Sequence, residues 1–151
     1  MPDLVLVPVG GGGLISGVAA GFRDTPGTRV VGVEPLAANV MSHALRVGAP
    51  TAPPDRPASL ADGLAPPFAG DNTLAHVQAL VEAVFEVDEA GIRDAWWSMM
   101  DTTKLFVEPS GAVGLAALRA GLVAPPAGGT MVLVVSGGNA SRPRLAELVA
   151  D

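Results

Sequence analysis

The sequence predicts an α/β fold in which an open, mostly parallel sheet is flanked by helices. Runs of apolar and β-branched residues alternate along the chain with segments of helical periodicity. The first of these runs, Leu4 to Val9, is apolar throughout, which is typical of a parallel strand buried on both faces. The 151 residues fit one domain, and a hydrophobic content of 49% can fill its core.

Each element follows from the same patterns. Asp88 stands where a helix N-cap is expected, and the segment 107–111 should interrupt helical structure. Residues 48–70 are rich in proline and show little periodicity, which is typical of a functional or mobile connection. The predicted strands are 4–9, 29–34, 83–87 and 131–135, and the predicted helices are 14–23, 37–47, 71–81, 89–103, 112–121 and 144–149.

Four consecutive glycines, Gly10, Gly11, Gly12 and Gly13, separate the first strand from the first helix. Glycine lets the backbone approach a ligand closely, and a helix N-terminus offers unpaired N–H groups, so the stretch predicts a phosphate site. The spacing of the glycines does not fit a dinucleotide fingerprint. This weakens the hypothesis of a nicotinamide-dependent domain in which Glu34 binds the ribose. A triphosphate loop needs a lysine, and the only lysine is Lys104. The alternative is a tight turn without a ligand.

Two polar residues, Glu34 and Ser136, follow predicted strands at the sheet edge where ligands bind in such folds. The Ser136 hydroxyl can hydrogen-bond a neutral ring nitrogen, whereas an aspartate would keep the ring protonated. The alternative for Ser136 is the cap of the following helix. For Glu34 the alternative is an exposed strand-end carboxylate.

Composition excludes several classes of partner. The net charge of −6 argues against nucleic acid and against an anionic membrane surface. Cysteine is absent, which excludes disulfides, thiolate zinc sites and a thiol nucleophile. No apolar run reaches membrane-spanning length, and we expect a cytoplasmic protein.

Five motifs occur in the order and rough spacing of one family. They are Val7 to Gly17, Glu34-Pro35, Ser59 to Leu64, Glu108 to Ala112 and Ser136-Gly137-Gly138-Asn139. In them the chain resembles the C-terminal half of the catalytic domain of serine/threonine dehydratases. These are pyridoxal-phosphate enzymes of the tryptophan-synthase-β type, called fold type II, and serine racemase is a close relative.

The resemblance implies a role for each motif. Backbone N–H groups of Gly10, Gly11, Gly12, Gly13 and Leu14 would hold the phosphate of pyridoxal 5′-phosphate. Ser136 would hydrogen-bond the pyridine nitrogen, Gly63 would lie near the ring, and Glu108 would face the cofactor. Glu34 and the carbonyl of Ala38 match ligands of a cation site. Val40 stands where that site has an aspartate, which argues against a divalent cation here.

The family's Schiff-base lysine and substrate-carboxylate loop belong to an N-terminal half that has no counterpart in this sequence, and Lys104 matches no catalytic lysine. The sequence is therefore expected to be a fragment, inactive alone, that lacks a regulatory domain and forms a homodimer when complete. The complete enzyme would convert L-threonine or L-serine to a 2-oxo acid and ammonia. Racemisation and 3-hydroxyaspartate elimination are alternatives on the same scaffold. A non-catalytic module that binds a phosphate ligand is the alternative of another class.

Overall fold

The computed structural model describes residues 1–55 and 58–149. Within them, four strands form one sheet in the order β3-β2-β1-β4, and every neighbouring pair is parallel. The strands are β1 Leu4–Pro8, β2 Arg29–Pro35, β3 Ala83–Val87 and β4 Met131–Leu133. The helices are α1 Gly13–Phe22, α2 Val40–Val47, α3 Asp71–Leu80, α4 Glu89–Thr103, α5 Pro109–Arg119 and α6 Arg142–Val149. The predicted α/β class is confirmed.

Helices cover both faces of the sheet. Side chains along each central strand point alternately to opposite faces, so successive residues pack against different helices. Leu4 and Leu6 of β1 pack with α4 and α5 on one face. Val5 and Val7 pack with α1, α2 and α3 on the other. Both faces of β1 are therefore buried, as its continuous apolar sequence predicts.

The strand β4 lies at one edge of the described sheet, beside β1. Although the segment 131–135 is apolar, Val132 in the strand and Val135 just after it are 40% and 41% exposed. Regular pairing ends at Leu133, after which Val134 N–H still donates to the Leu6 carbonyl, so the strand is shorter than predicted. An apolar edge strand with a free ladder edge is a surface that pairs readily with further structure.

Three predicted helices begin two or more residues away from their predicted start. The helix expected from Ala112 begins at Pro109, since proline has the φ of a first helical residue and needs no N–H partner there. The helix expected from 37 is a 3₁₀ turn, Leu36–Ala38, before α2 starts at Val40. The last helix starts at Arg142, and the Leu145 N–H donates to the Ser141 carbonyl.

No helix in the described ranges combines the length and apolar character that crossing a membrane requires.

Candidate functional site

A cavity of about 310 Å³ opens where β1 and β4 end. It contains all eight residues that the sequence predicts around the cofactor: Gly10, Gly11, Gly12, Gly13, Leu14, Gly63, Glu108 and Ser136. Pro8, Leu64, Ser110 and Gly137 complete its lining. Segments separated by more than a hundred residues thus meet at the sheet edge where α/β folds bind ligands.

The glycine loop, residues 10–13, is held by its carbonyl groups. The Gly11 carbonyl accepts a hydrogen bond of 2.6 Å from Thr73 Oγ1, and the Gly12 carbonyl accepts one of 3.0 Å from Ser16 N–H. Gly12 has a φ of 92°, which disfavours any residue with a side chain. These hydrogen bonds fix the backbone of the loop and with it the positions of its N–H groups.

Those N–H groups lack acceptors. From Gly10 to Leu14, they donate to no acceptor among the residues that the structure describes. Gly13 begins α1, so the positive end of the helix dipole adds to the same wall of the cavity. Consecutive unpaired amides at a helix N-terminus bind anions, and phosphate above all.

The loop also packs closely against a neighbouring segment at Gly10. A Cβ atom there would lie 3.2 Å from both Leu64 Cα and Pro66 Cδ. This approach fixes the glycine loop against the segment that carries Gly63. The motif Ser59 to Leu64 is thereby placed beside the anion site.

Glu108 forms the other side of the cavity. Its Oε2 accepts a hydrogen bond of 3.1 Å from Asn139 N–H, and its Oε1 would lie 3.3 Å from a Cβ atom at Gly63. Gly137, with a φ of 88°, has no room for a Cβ atom because the Glu108 carboxylate occupies that space. The two glycines therefore leave the space that this carboxylate occupies at the cavity wall, where the Asn139 N–H holds it.

Ser136 lines the cavity and is half-buried. The helix that it was alternatively expected to cap begins six residues later, at Arg142. Ser136 is therefore not the cap of that helix. Its hydroxyl, which can both donate and accept, is a suitable partner for a neutral ring nitrogen.

Ser110 was missed by the sequence analysis. It is the second residue of α5, it is buried, and it lines the cavity. Interpreting 107–111 as a break between helices hid it, because a serine in a loop carries no signal. The available clue was Pro109, which marks a helix start and so places the next side chain in a first turn.

Lys104 lies outside the cavity. It ends α4 in a left-handed conformation, with a φ of 58°, and its side chain is exposed. A nucleophilic lysine has to be desolvated and aimed at its target, and neither condition holds here.

The alternative interpretation of Glu34 as an exposed carboxylate is wrong. Glu34 is fully buried at the end of β2. Its two carboxylate oxygens accept hydrogen bonds from the first turn of α2, 2.7 Å from Ser42 N and 3.1 Å from Met41 N. Burial raises its pKa to about 7, although these N–H groups oppose the shift.

The cation site suggested for Glu34 and Ala38 stays a prediction. Ala38 is buried in the 3₁₀ turn between β2 and α2. Among the described residues, no three histidine, aspartate or glutamate side chains gather into a group that could hold a metal ion. Both oxygens of Glu34 are engaged by α2, so the carboxylate acts as a cap on that helix.

Comparison with known proteins decides the family. Residues 1–137 match the family described as pyridoxal-phosphate dependent enzyme. This chain belongs to that family. It is 43% identical over 142 residues to an L-threonine ammonia-lyase of Geobacter sulfurreducens, covering 92% of this chain and 35% of the relative. It is 40% identical over 116 residues to a serine racemase of Oryza sativa, covering 76% of this chain and 34% of the relative.

Solved structures agree with the sequence comparison. A processed form of threonine deaminase isoform 2 from Solanum lycopersicum superposes with a TM-score of 0.86 at 31% identity. The match covers 99% of this chain and 44% of that one. The parallel sheet with its helices is thus the fold type II of pyridoxal-phosphate enzymes. The chain spans about a third of the length of these two curated relatives.

Proposed function

We propose that residues 1–151 are one α/β domain that forms the cofactor-phosphate part of the catalytic domain of an ammonia-lyase. The complete enzyme eliminates the β-hydroxyl of L-threonine or L-serine and yields a 2-oxo acid and ammonia. The observation that carries the proposal is the row of unpaired N–H groups from Gly10 to Leu14, facing Glu108 and Ser136 across one cavity. The similarity to an L-threonine ammonia-lyase supports the reaction class.

The cavity fits pyridoxal phosphate in two respects. The amides of the glycine loop and of Leu14 match a phosphate group. The cavity of about 310 Å³, which lies between the glycine loop and Gly63, Glu108 and Ser136, has room for the ring. These residues would hold and orient the cofactor, which, when bound, supplies the electron sink for charge that develops at the substrate α-carbon.

Ser136 determines the character of the ring. A hydroxyl satisfies a ring nitrogen without holding a proton on it, unlike a carboxylate. Elimination from the β-carbon suits such a site because the ring need not carry the full negative charge. The Glu108 carboxylate, fixed by Asn139 N–H, adds a negative group at the same wall.

The basic group that removes the α-proton would be supplied from outside this chain. Lys104 is exposed and does not line the cavity. We therefore propose that a lysine-bearing N-terminal half, as partner, completes the site and that the complete enzyme is a homodimer. The exposed apolar edge at β4 supports a docking surface for further structure.

Two alternatives have an observation in their favour. The rice serine racemase at 40% identity and an L-threo-3-hydroxyaspartate ammonia-lyase of Pseudomonas sp at 33% identity favour another reaction on this scaffold. The position of Lys104 outside the cavity favours a non-catalytic phosphate-binding module.

Reconstitution tests the proposal. The purified chain would be mixed with the N-terminal half of the Geobacter sulfurreducens relative, pyridoxal phosphate and L-threonine, L-serine or 3-hydroxyaspartate. We expect 2-oxo acid only when both halves are present, and the same yield from Lys104→Met. Racemised serine without 2-oxo acid would favour the racemase. A mixture that binds the cofactor but turns over no amino acid would favour the binding module.

A further inference from the structure

Ser110 carries a hydroxyl that the fold leaves without a partner. Its side chain is 2% exposed, and its Oγ makes no hydrogen bond to any described residue. In that part of the chain, only Glu89 Oε1 shares this condition among buried side-chain polar atoms. A buried hydroxyl without a partner destabilises the folded protein, whereas alanine would leave nothing unsatisfied.

The position of this hydroxyl points to the cavity. Ser110 lines it, and a Cβ atom at Gly63 would lie 2.8 Å from Ser110 Oγ. The hydroxyl is therefore at the wall formed by Gly63 and Glu108. The adjacent Gly111 would bring a Cβ atom 3.0 Å from the Ser136 carbonyl, so the start of α5 also contacts the strand end that carries Ser136.

Nothing in the packing of α5 requires a hydroxyl at this position. Glu108 is the N-cap residue of the helix and Pro109 is its first residue, so Ser110 is not the cap. The buried residues that follow Ser110 in α5 are small and apolar. Alanine is the better helix former. The remaining reason for a serine is a ligand that occupies the cavity.

We propose that Ser110 binds the ligand directly, through a hydrogen bond from its hydroxyl to an oxygen substituent of the ring, other than the phosphate, in bound pyridoxal phosphate. The inference rests on the proposed function. It assigns Ser110 to the ring side of the site, with Gly63, Glu108 and Ser136, and separates it from the phosphate side formed by the glycine loop. A ring contact contributes to the affinity for the whole cofactor and adds nothing to the affinity for inorganic phosphate.

The test compares Ser110→Ala with the wild-type chain and with Ser98→Ala, which removes a helical serine outside the cavity. Pyridoxal phosphate is titrated by absorbance, inorganic phosphate is titrated by competition, and the melting temperature of the ligand-free chain is measured. For Ser110→Ala we expect a melting temperature no lower than that of the wild type. The Kd for pyridoxal phosphate should rise roughly tenfold, since one hydrogen bond is lost. The Kd for inorganic phosphate should not change, and Ser98→Ala should leave both Kd values unchanged.

Other outcomes overturn the assignment, and they are distinguishable. A lower melting temperature or failure to fold, with or without weaker binding, would give the hydroxyl a structural role. Equal losses of affinity for phosphate and for pyridoxal phosphate would place it on the phosphate side. An unchanged Kd for pyridoxal phosphate would remove Ser110 from the site while leaving the proposed function intact. A wild-type chain that binds inorganic phosphate but not pyridoxal phosphate would refute both.

Discussion

Gly12 is the residue of the glycine loop, the proposed anion site, that has the least room for a side chain. A Cβ atom there would lie 2.5 Å from Met41 Cε and 2.9 Å from Thr73 Cβ, on a backbone with a φ of 92°. We expect Gly12→Ala to lower the free energy of unfolding by about 2–4 kcal/mol, combining left-handed strain with overpacking. It should also weaken phosphate binding, because Thr73 holds the loop.

Gly13 supplies a matched control for this prediction. A Cβ atom at Gly13 meets nothing within 4 Å, and the residue begins α1. Gly13→Ala keeps the N–H group and should change stability by less than about 0.5 kcal/mol. Urea unfolding of both variants measures the difference. Equal stability of the two would show that the loop does not have the conformation described.

Glu34 makes stability depend on pH. Its folded-state pKa is raised from 4.5 to about 7 by burial. A raised pKa means that the group favours folding fully below its unfolded value, and this contribution is lost as the pH rises through the folded value. We expect the free energy of unfolding to fall by about 3 kcal/mol from this group between about pH 5 and pH 8. Denaturant titrations across that range measure it.

Glu34→Gln should remove this dependence, since an amide does not titrate. Glu82→Gln is the control, because the exposed Arg29–Glu82 ion pair lowers the pKa of Glu82 and so moves its titration below this range. If Glu34→Gln and the wild type showed parallel pH profiles, Glu34 would not have the raised pKa.

The sequence places the glycine loop and Ser136 at one edge of the sheet, because they follow strands whose ends must meet there. Gly63 and Glu108, which line the same cavity, were implied only by the family resemblance, and cofactor binding by all of these residues stays a prediction. The sequence could not predict the surroundings of Glu34. A strand-end carboxylate is buried or exposed according to where the next helix begins, and the 3₁₀ turn before Val40 sets that position. Ser110 was missed for the related reason that its helix was expected to start later.

Among the elements, α4 and α5 pack most extensively, and they position the glutamate of the cavity. Trp96 of α4 is buried, and its indole N–H donates a hydrogen bond of 2.7 Å to the Val107 carbonyl, one residue before Glu108. Trp97 is 40% exposed, and its ring meets that of Trp96 edge-on. Adjacent helical residues thus have different roles, as their directions require.

Trp96→Phe tests this arrangement. It removes the hydrogen bond and leaves a buried carbonyl unsatisfied, so we expect the free energy of unfolding to fall by about 2–4 kcal/mol. The affinity for pyridoxal phosphate should fall as well, because Glu108 loses its support. Trp97→Phe should change stability by less than about 0.5 kcal/mol. Similar losses in both variants would contradict the account of α4.

Element types were predicted more reliably than element ends. The strands 4–9, 29–34 and 83–87 have strong apolar patterns, and the structure places strands there. The start of α5 was predicted too late because Pro109 and the following glycine resemble a loop. The exposure of β4 could not be predicted, since an apolar run does not reveal whether its strand is central or at an edge.

For the whole molecule, the described surface is consistent with one part of a larger catalytic unit. The proposed anion site has unpaired amides and a cavity, whereas the only lysine is exposed and outside that cavity. The edge strand β4 leaves apolar side chains uncovered. The site for the cofactor and the group that would remove the α-proton are therefore assigned to different segments of the proposed enzyme.

The most direct test of the central claim is a titration of the purified chain with pyridoxal phosphate, read by absorbance and followed by borohydride reduction and peptide mass mapping. We predict saturable binding that inorganic phosphate displaces, without a reduced adduct on Lys104. Absence of saturable binding would contradict the cofactor site. A stoichiometric adduct on Lys104 would contradict the division of the active site between this chain and a lysine-bearing partner.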